Sequence, residues 1–293
     1  IAEFPPGLLL IGGAVLVPFL KGNVRSAYTL ILPLLGILQL TTFEPGTFGA
    51  MAAFGFEQTH VRIDKLSLLF GYLFHLAAFL GFIYALHLGD GTPDGSVADE
   101  VGETDIVGNK SAGLQHVSAM LYAGSAIGAV FAGDLITLFI FWELLAITSA
   151  FLIWARDSDR SFATGFRYLI IHVVSGVMLL SAALMIAHST GSIAFEHIDL
   201  ESAGAAGWVL LLAFGIKAGF PLAHNWITEA YPESTPTGTV FLSAFTTKVA
   251  VYALARSFAG ADVLVIVGTA MTFFPIFYAV LENDLRRVLG YSM

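Results

Sequence analysis

The chain has 293 residues, of which 57% are hydrophobic and 12% are charged, and its mean hydropathy is +0.81. This composition excludes a soluble domain of average make-up, and the net charge of −9 argues against nucleic-acid binding. Because the chain has no cysteine, thiolate metal sites, cysteine-ligated iron–sulfur clusters and disulfides are excluded as well. We therefore expect no metal site and no cofactor.

Apolar runs long enough to cross a bilayer core of about 30 Å as helices recur along the whole chain. Nine such spans are predicted, at 6–20, 26–42, 65–88, 112–132, 134–155, 163–188, 206–228, 236–257 and 263–281. A tenth helix is expected to begin near Leu285 and to continue past Met293, since no helix-stop signal or polar tail follows. The predicted fold is therefore all-α, a polytopic membrane helix bundle.

These spans divide the chain into three predicted segments. Residues 1–111 hold helices one to three with an acidic loop at 89–110, residues 112–258 hold helices four to eight, and residues 259–293 hold helix nine and the start of helix ten. The loop is predicted to be flexible and solvated because it combines glycines with six acidic residues, namely Asp90, Asp94, Asp99, Glu100, Glu103 and Asp105.

The basic residues are unevenly divided between the two ends of the predicted spans. One side carries eight of them, Lys21, Arg25, Lys110, Arg156, Arg160, Arg167, Arg286 and Arg287, and the other carries Arg62, Lys65 and Arg256. Because basic loops stay in the cytoplasm, the first loop is predicted to be cytoplasmic and the amino terminus to lie outside.

Four ionisable residues lie inside apolar spans. Glu143 is about ten residues into span five, near the bilayer midplane at 1.5 Å per residue, and Lys217, His172 and Lys248 reach a similar depth on spans seven, six and eight. An ionised side chain at that depth is destabilising by several kcal/mol unless it faces a partner or water, so such residues usually mark ion paths. The set is predicted to carry protons or cations.

Two interpretations of Glu143 and Lys217 remain open. A carboxylate beside a lysine holds the lysine's proton, and moving the carboxylate away would release it. Alternatively, the two residues form a buried structural ion pair. His172 is either a relay group, since imidazole titrates near neutral pH, or a side chain that hydrogen-bonds a neighbouring carbonyl.

The middle of span seven contains a predicted helix break. Gly219 adds slack and Pro221 removes a backbone donor, so the helix is expected to stop and restart, with His224 beyond the break. Broken helices are frequent seats of ion sites in transporters. The alternative is a proline kink that serves packing only.

Together these residues resemble a known family. The segments that carry the resemblance are Phe141-Trp142-Glu143, Lys217-Ala218-Gly219 through Trp226, Pro232 and Pro236, Thr247 to Leu254, and Asn283 to Ser292. They are similar to the antiporter-like membrane subunits shared by respiratory complex I, Mrp-type cation/proton antiporters and membrane-bound hydrogenases. The likeness is strong from about Asp134 onward and only topological before it.

The resemblance implies roles for single residues. Glu143 would be the helix-five glutamate, Lys217 its helix-seven partner, and Lys248 the helix-eight residue that passes the proton onward. His224 occupies the family's frequent histidine position, although Pro221 is displaced by one residue. Helices four to eight would form the first of two inverted repeats, and the second repeat is not in this sequence, so either the chain is a fragment or another polypeptide supplies that half.

The function implied is that of a membrane subunit of a multisubunit cation/proton (Na+/H+) antiporter, closest to the D-type subunit of Mrp antiporters, which moves protons through a Glu–Lys–His–Lys chain. The alternative is a proton-pumping subunit of complex I or a related membrane oxidoreductase. A third hypothesis is a scaffold whose paired charges only fix helix register. Expected partners are other membrane subunits, the lipid bilayer, H+ and Na+, and the expected location is the bacterial cell membrane. With no phosphate-binding loop and no HExxH motif, an enzyme is not expected.

Overall fold

The computed structural model describes residues 4–53, 55–88, 96–98, 104–106 and 111–293. Its α-helices are α1 Gly7–Ala14, α2 Gly22–Leu40, α3 Lys65–Tyr84, α4 Ser111–Val130, α5 Leu135–Trp154, α6 Asp159–Thr190, α7 Leu200–Ala218, α8 Asn225–Glu233, α9 Pro236–Ser257, α10 Asp262–Leu281 and α11 Leu285–Tyr291. Two antiparallel hairpins add strands β1 Gly46–Ala53 with β2 Phe56–Ile63, and β3 Ser96–Ala98 with β4 Thr104–Ile106. The described chain is thus mainly helical, as predicted.

Six helices of the described residues are long and apolar enough to cross a membrane: α3, α5, α6, α7, α9 and α10. The predicted first span is interrupted, because α1 ends at Ala14 and a short 3-10 helix follows at Val17–Phe19. The α11 helix begins at Leu285, as expected for the tenth span. Length and hydropathy of the described helices therefore support six of the nine predicted spans.

Residues 89–110 were predicted to form a solvated loop. Apart from β3 and β4, this segment lies outside the described residues.

The β1–β2 hairpin is a feature that sequence analysis did not predict. It is fastened to the start of α5 by Asp134, whose carboxylate accepts from the Thr59 backbone N–H at 3.0 Å and from the backbone N–H and hydroxyl of Thr137 at 2.7 and 2.8 Å. Asp134 thus caps α5 and anchors β2 with one side chain. In the sequence, the position of Asp134 immediately before an apolar run is the signal that predicts a helix cap there.

A second anchor joins the hairpin to the far end of α9. Asp64, which caps α3, accepts two hydrogen bonds of 2.8 Å from the buried guanidinium of Arg256 and lies 3.1 Å from Arg62. Arg256 also donates to the hydroxyl of Tyr252 at 2.8 Å. A bidentate pair of this kind fixes both distance and orientation.

We expect the Asp64 anchor to give the protein a stability that depends on pH. Burial opposes ionisation of the Asp64 carboxyl, but hydrogen bonds from Arg256 and the Ser67 N–H, with the charges of Arg256 and Arg62, lower its pKa from 3.8 to about 2. Because the pKa is lower in the folded state, the stabilisation is complete above about pH 3.8 and is lost as the pH falls through about 2. Replacing Asp64 by Asn should lower the melting temperature in detergent by a few degrees at pH 6 and change it little at pH 2.

The matched control for this prediction is Glu57→Gln, which removes an exposed carboxylate from the same hairpin. It should melt like the native protein at both pH values. An Asp64→Asn defect that persists unchanged at pH 2 would contradict the ionic origin of the effect.

Candidate functional site

Helices α5, α6 and α7 are tied together beside Glu143 by a short hydrogen-bond chain. The indole N–H of the fully buried Trp142 donates to Ser175 Oγ at 3.0 Å, and Ser175 donates to the carbonyl of Ala213 at 2.7 Å. A buried polar chain in which every donor has an acceptor holds its helices in one register. Trp142 therefore fixes the depth and rotation at which its neighbour Glu143 enters the bundle.

Lys217 lies in the last turn of α7 and has no exposed surface. Its ammonium donates to the carbonyl of Trp142 at 2.7 Å and lies 4.3 Å from the centroid of the Trp142 ring. The carboxyl end of a helix and the face of an indole both favour a positive charge. The structure thus stabilises a lysine at this position without neutralising it.

The helix break follows immediately, which confirms the prediction of a broken seventh helix. Gly219 has φ +81°, a left-handed conformation that glycine adopts without steric strain, and Phe220 N–H bonds back to the carbonyl of Gly215 at 2.9 Å. Leu222 also has a positive φ and is 90% exposed, and α8 then begins at Asn225. The break therefore depends on Gly219, with Pro221 placed where it cannot extend α7.

Glu143 points towards α6. Its Oε1 is buried and has no hydrogen-bond partner among the described residues, and it fills the space that a side chain on Gly176 would need. No ion pair of 4.0 Å or less joins Glu143 to Lys217 in the described part of the chain, although the two are close enough for their charges to interact. The carboxyl is thus near the ammonium without being bonded to it.

His172 completes the cluster from α6. Its ring is fully buried, lies 4.2 Å from the Tyr168 ring and 4.5 Å from the Trp226 ring between centroids, and is within electrostatic range of Lys217. Neither ring nitrogen has a hydrogen-bond partner among the described residues. Buried polar atoms without partners are rare in proteins, and a catalytic or transport role is one explanation for them.

Lys248 is placed apart from this cluster. It is half-buried on α9, and no hydrogen bond, ion pair or resolved charge interaction among the described residues joins it to Glu143, Lys217 or His172. The four residues predicted at one depth thus divide into three that are brought together and one that is not. Since a helix carries side chains all round, depth alone does not decide which of them meet.

A chain of buried hydroxyl groups, which sequence analysis missed, lies between His172 and α9. Tyr168 shares hydrogen bonds with Ser149 at 2.8 Å and with Thr246 at 3.4 Å, and Thr246 is bonded to Tyr122. The side chain of Thr246 on α9 therefore forms hydrogen bonds to two other helices, α6 through Tyr168 and α4 through Tyr122. A tyrosine four residues before a histidine on an apolar helix was the available signal, since those two positions share a face.

His224 lies beyond the break, as predicted, at the residue that precedes α8. It is half-buried, packs edge-on against Phe274 at 5.7 Å and lines a cavity of about 470 Å³ between the break, α10 and α11. Among the described residues, no group of three or more His, Asp or Glu side chains is placed to hold a metal ion.

Comparison with known proteins identifies a family over the second half of the chain. Residues 132–293 match the family model described as NADH:quinone oxidoreductase/Mrp antiporter, TM. The M-type subunit of NADH-quinone oxidoreductase from Pseudomonas aeruginosa is 27% identical over 61% of this chain and 40% of its own length. The A-type Na+/H+ antiporter subunit of Alkalihalophilus pseudofirmus is 27% identical over 95% of this chain and 36% of its own, and the D-type antiporter subunit of that organism is 27% identical over 57% and 37%.

Among solved structures, a chain of the membrane-bound sulfane sulfur reductase, an archaeal respiratory membrane complex, superposes with a TM-score of 0.77 at 18% identity. The superposition covers 98% of this chain and 61% of the other. At that identity the likeness shows the fold alone. The chain spans well under half the length of the curated relatives that it matches.

Proposed function

The chain belongs to the NADH:quinone oxidoreductase/Mrp antiporter transmembrane family, and from this premise we propose that it is a membrane subunit of a multisubunit Na+/H+ antiporter that moves protons through Glu143, Lys217 and His172. The observation that carries the proposal is Lys217, a fully buried lysine outside any ion pair in the described residues, at the end of a broken helix. Because its ammonium is bonded to a carbonyl and an aromatic ring and not to a carboxylate of the described residues, its charge can respond to the position of the nearby Glu143 carboxylate.

The proton would pass between groups of different chemistry. Protonated Lys217 keeps its proton while the Glu143 carboxylate is ionised and near, and releases it when that charge is neutralised or moves away. His172, buried with both nitrogens unbonded in the described chain, is the neighbouring group able to accept it. Lys248 of α9 would receive the proton later on the path. The hydrogen bond between Tyr168 of α6 and Thr246 of α9 links the helix of His172 to the helix of Lys248.

Two kinds of assembly would use this path. The antiporter is our first choice because the A-type antiporter subunit aligns with nearly the whole chain, whereas the M-type subunit of the oxidoreductase aligns with 61% of it. Within this proposal the chain acts as a D-type component, as its motifs suggest. The runner-up is a proton-pumping subunit of a complex I-type oxidoreductase, driven by redox subunits.

The proposal includes partners and a location. The proposed partners are other membrane subunits of the assembly, the lipid bilayer, H+ and Na+. The expected site is the bacterial cell membrane with the amino terminus outside, which is supported by the basic residues on one side of the spans.

The discriminating experiment measures ion exchange without any electron donor. Vesicles that contain the intact complex are made acidic inside, and a pH-sensitive dye reports proton efflux after Na+ is added outside. We expect Na+ to dissipate the gradient and the co-purifying chains to be hydrophobic membrane subunits. A gradient that forms only with a reduced electron donor, in a complex that contains flavin or iron–sulfur chains, would replace the antiporter by the oxidoreductase.

A further inference from the structure

The carboxyl end of the short helix α8 receives three arginine side chains from three different elements. Arg156, beyond the end of α5, donates to the Pro232 carbonyl and to the Glu233 carboxylate, both at 3.0 Å, and Arg160 of α6 binds the other oxygen of Glu233 at 2.8 Å. Glu233 and Arg156 are almost fully buried. At the end of α8, two arginines are thus paired with the one carboxylate of Glu233, and the pair with Arg156 is shielded from water.

Arg286 of α11 is the third arginine, and it binds the backbone at the carboxyl end of α8. Its guanidinium donates to the carbonyl of Pro232 at 2.9 Å and to the carbonyl of Ser234 at 3.1 Å. The last carbonyls of a helix have no partner within the helix and attract a cation. Because Asp284 caps α11 at 2.8 Å from the Arg286 backbone N–H, the start of α11 is held at the end of α8.

The opposite end of α8 contacts the proton site. Trp226, in its first turn, is 2% exposed, donates to the carbonyl of Ile216 at 2.9 Å and packs edge-on against the His172 ring. An isolated helix of nine residues is too short to be stable, so α8 takes its position from these anchors. A shift of α8 at its carboxyl end would move Trp226 at its amino end.

We propose that Arg286 is a positioning residue for the proton path: it fastens α8 to α11 as one rigid unit and so holds Trp226 against His172. This inference rests on the proposed ion transport, but the contact between α8 and α11 can be tested separately. The two helices also pack directly, since a Cβ built on Gly290 of α11 would lie 3.4 Å from Cα and 3.5 Å from Cγ2 of Thr228.

The test uses a disulfide, which the cysteine-free chain makes unambiguous. In the intact complex, Thr228→Cys with Gly290→Cys places two cysteines at a direct contact between α8 and α11, and a disulfide needs a Cβ–Cβ separation of about 3.5–4.5 Å. We expect the pair to cross-link rapidly on mild oxidation and the cross-linked complex to keep its transport rate. Failure to cross-link, or transport lost on oxidation and regained on reduction, would overturn the proposal.

Arg286→Gln should then lower the transport rate about tenfold or more, because small displacements near a reacting group have effects of this size. Oxidised Thr228→Cys/Gly290→Cys in the Arg286→Gln background should restore transport, and reduction should abolish it again. A variant defect that the formed disulfide does not rescue, or no defect at all, would show that Arg286 does not act by holding α8.

The matched control is Arg167→Gln, which removes an exposed ion pair of 3.4 Å with Glu229 of the same α8. Because exposed pairs contribute little, transport should stay within about twofold of the native rate. The cross-linking rate of the cysteine pair should fall in Arg286→Gln and not in Arg167→Gln. That readout is independent of transport, so it still tests the clamp if the proposed antiport fails.

Discussion

Replacing Lys217 by Ala is expected to abolish ion transport by the assembled complex, with a loss of about 10²-fold or more, the factor that a positioned proton-transfer group contributes. Assembly should survive, because the variant removes a buried charge and leaves the Trp142–Ser175–Ala213 chain in place. The measurement is Na+-dependent proton efflux from vesicles that contain equal amounts of complex.

Lys217→Arg separates the two interpretations of this residue. A guanidinium keeps the positive charge but does not release its proton, so an arginine satisfies a structural charge and fails as a proton carrier. We expect this variant to be as inactive as the alanine variant. If the arginine variant transports ions, the scaffold hypothesis is favoured. The control is Lys65→Ala, which removes an exposed lysine at the start of α3 and should leave transport at the native rate.

Replacing Gly176 by Ala is expected to lower transport about tenfold or more without disturbing the helices. A Cβ at this position would overlap Oε1 of Glu143, whereas ordinary van der Waals contact begins at 3.4 Å. The oxygen is at the end of a flexible side chain, so the carboxyl moves and α5 and α6 stay packed. The variant thus displaces the charge of Glu143 while keeping its chemistry.

The control for Gly176→Ala is Gly268→Ala on α10, where an added Cβ meets nothing within 4 Å. It should leave transport and melting temperature unchanged. If Gly176→Ala transports at the native rate in a fully assembled complex, the position of the Glu143 carboxyl does not limit the proton path. If instead the variant fails to assemble, Gly176 is required for the packing of α5 against α6.

The sequence indicated much of the site because the relevant signals are local. The break after Lys217 depends on a glycine and a proline within one short segment, and their backbone preferences act whatever surrounds them. The caps at Asp64 and Asp134, which were not predicted, depend on equally local signals. Local signals missed the interruption of the first span and the kink at Gly204, which lets α7 begin at Leu200 and not near residue 206.

By itself, the sequence determined that this protein is a bundle of apolar helices that carry Glu143, Lys217 and His172 within their spans, because ionisable residues are rare in such spans and usually functional. Only the tertiary structure decided that Lys217 binds the Trp142 carbonyl, that Glu143 faces Gly176, that Lys248 stands apart, and that Arg286 clamps α8. The physical reason is that helix rotation and crossing are set by packing between segments distant in sequence, which periodicity within one helix does not encode.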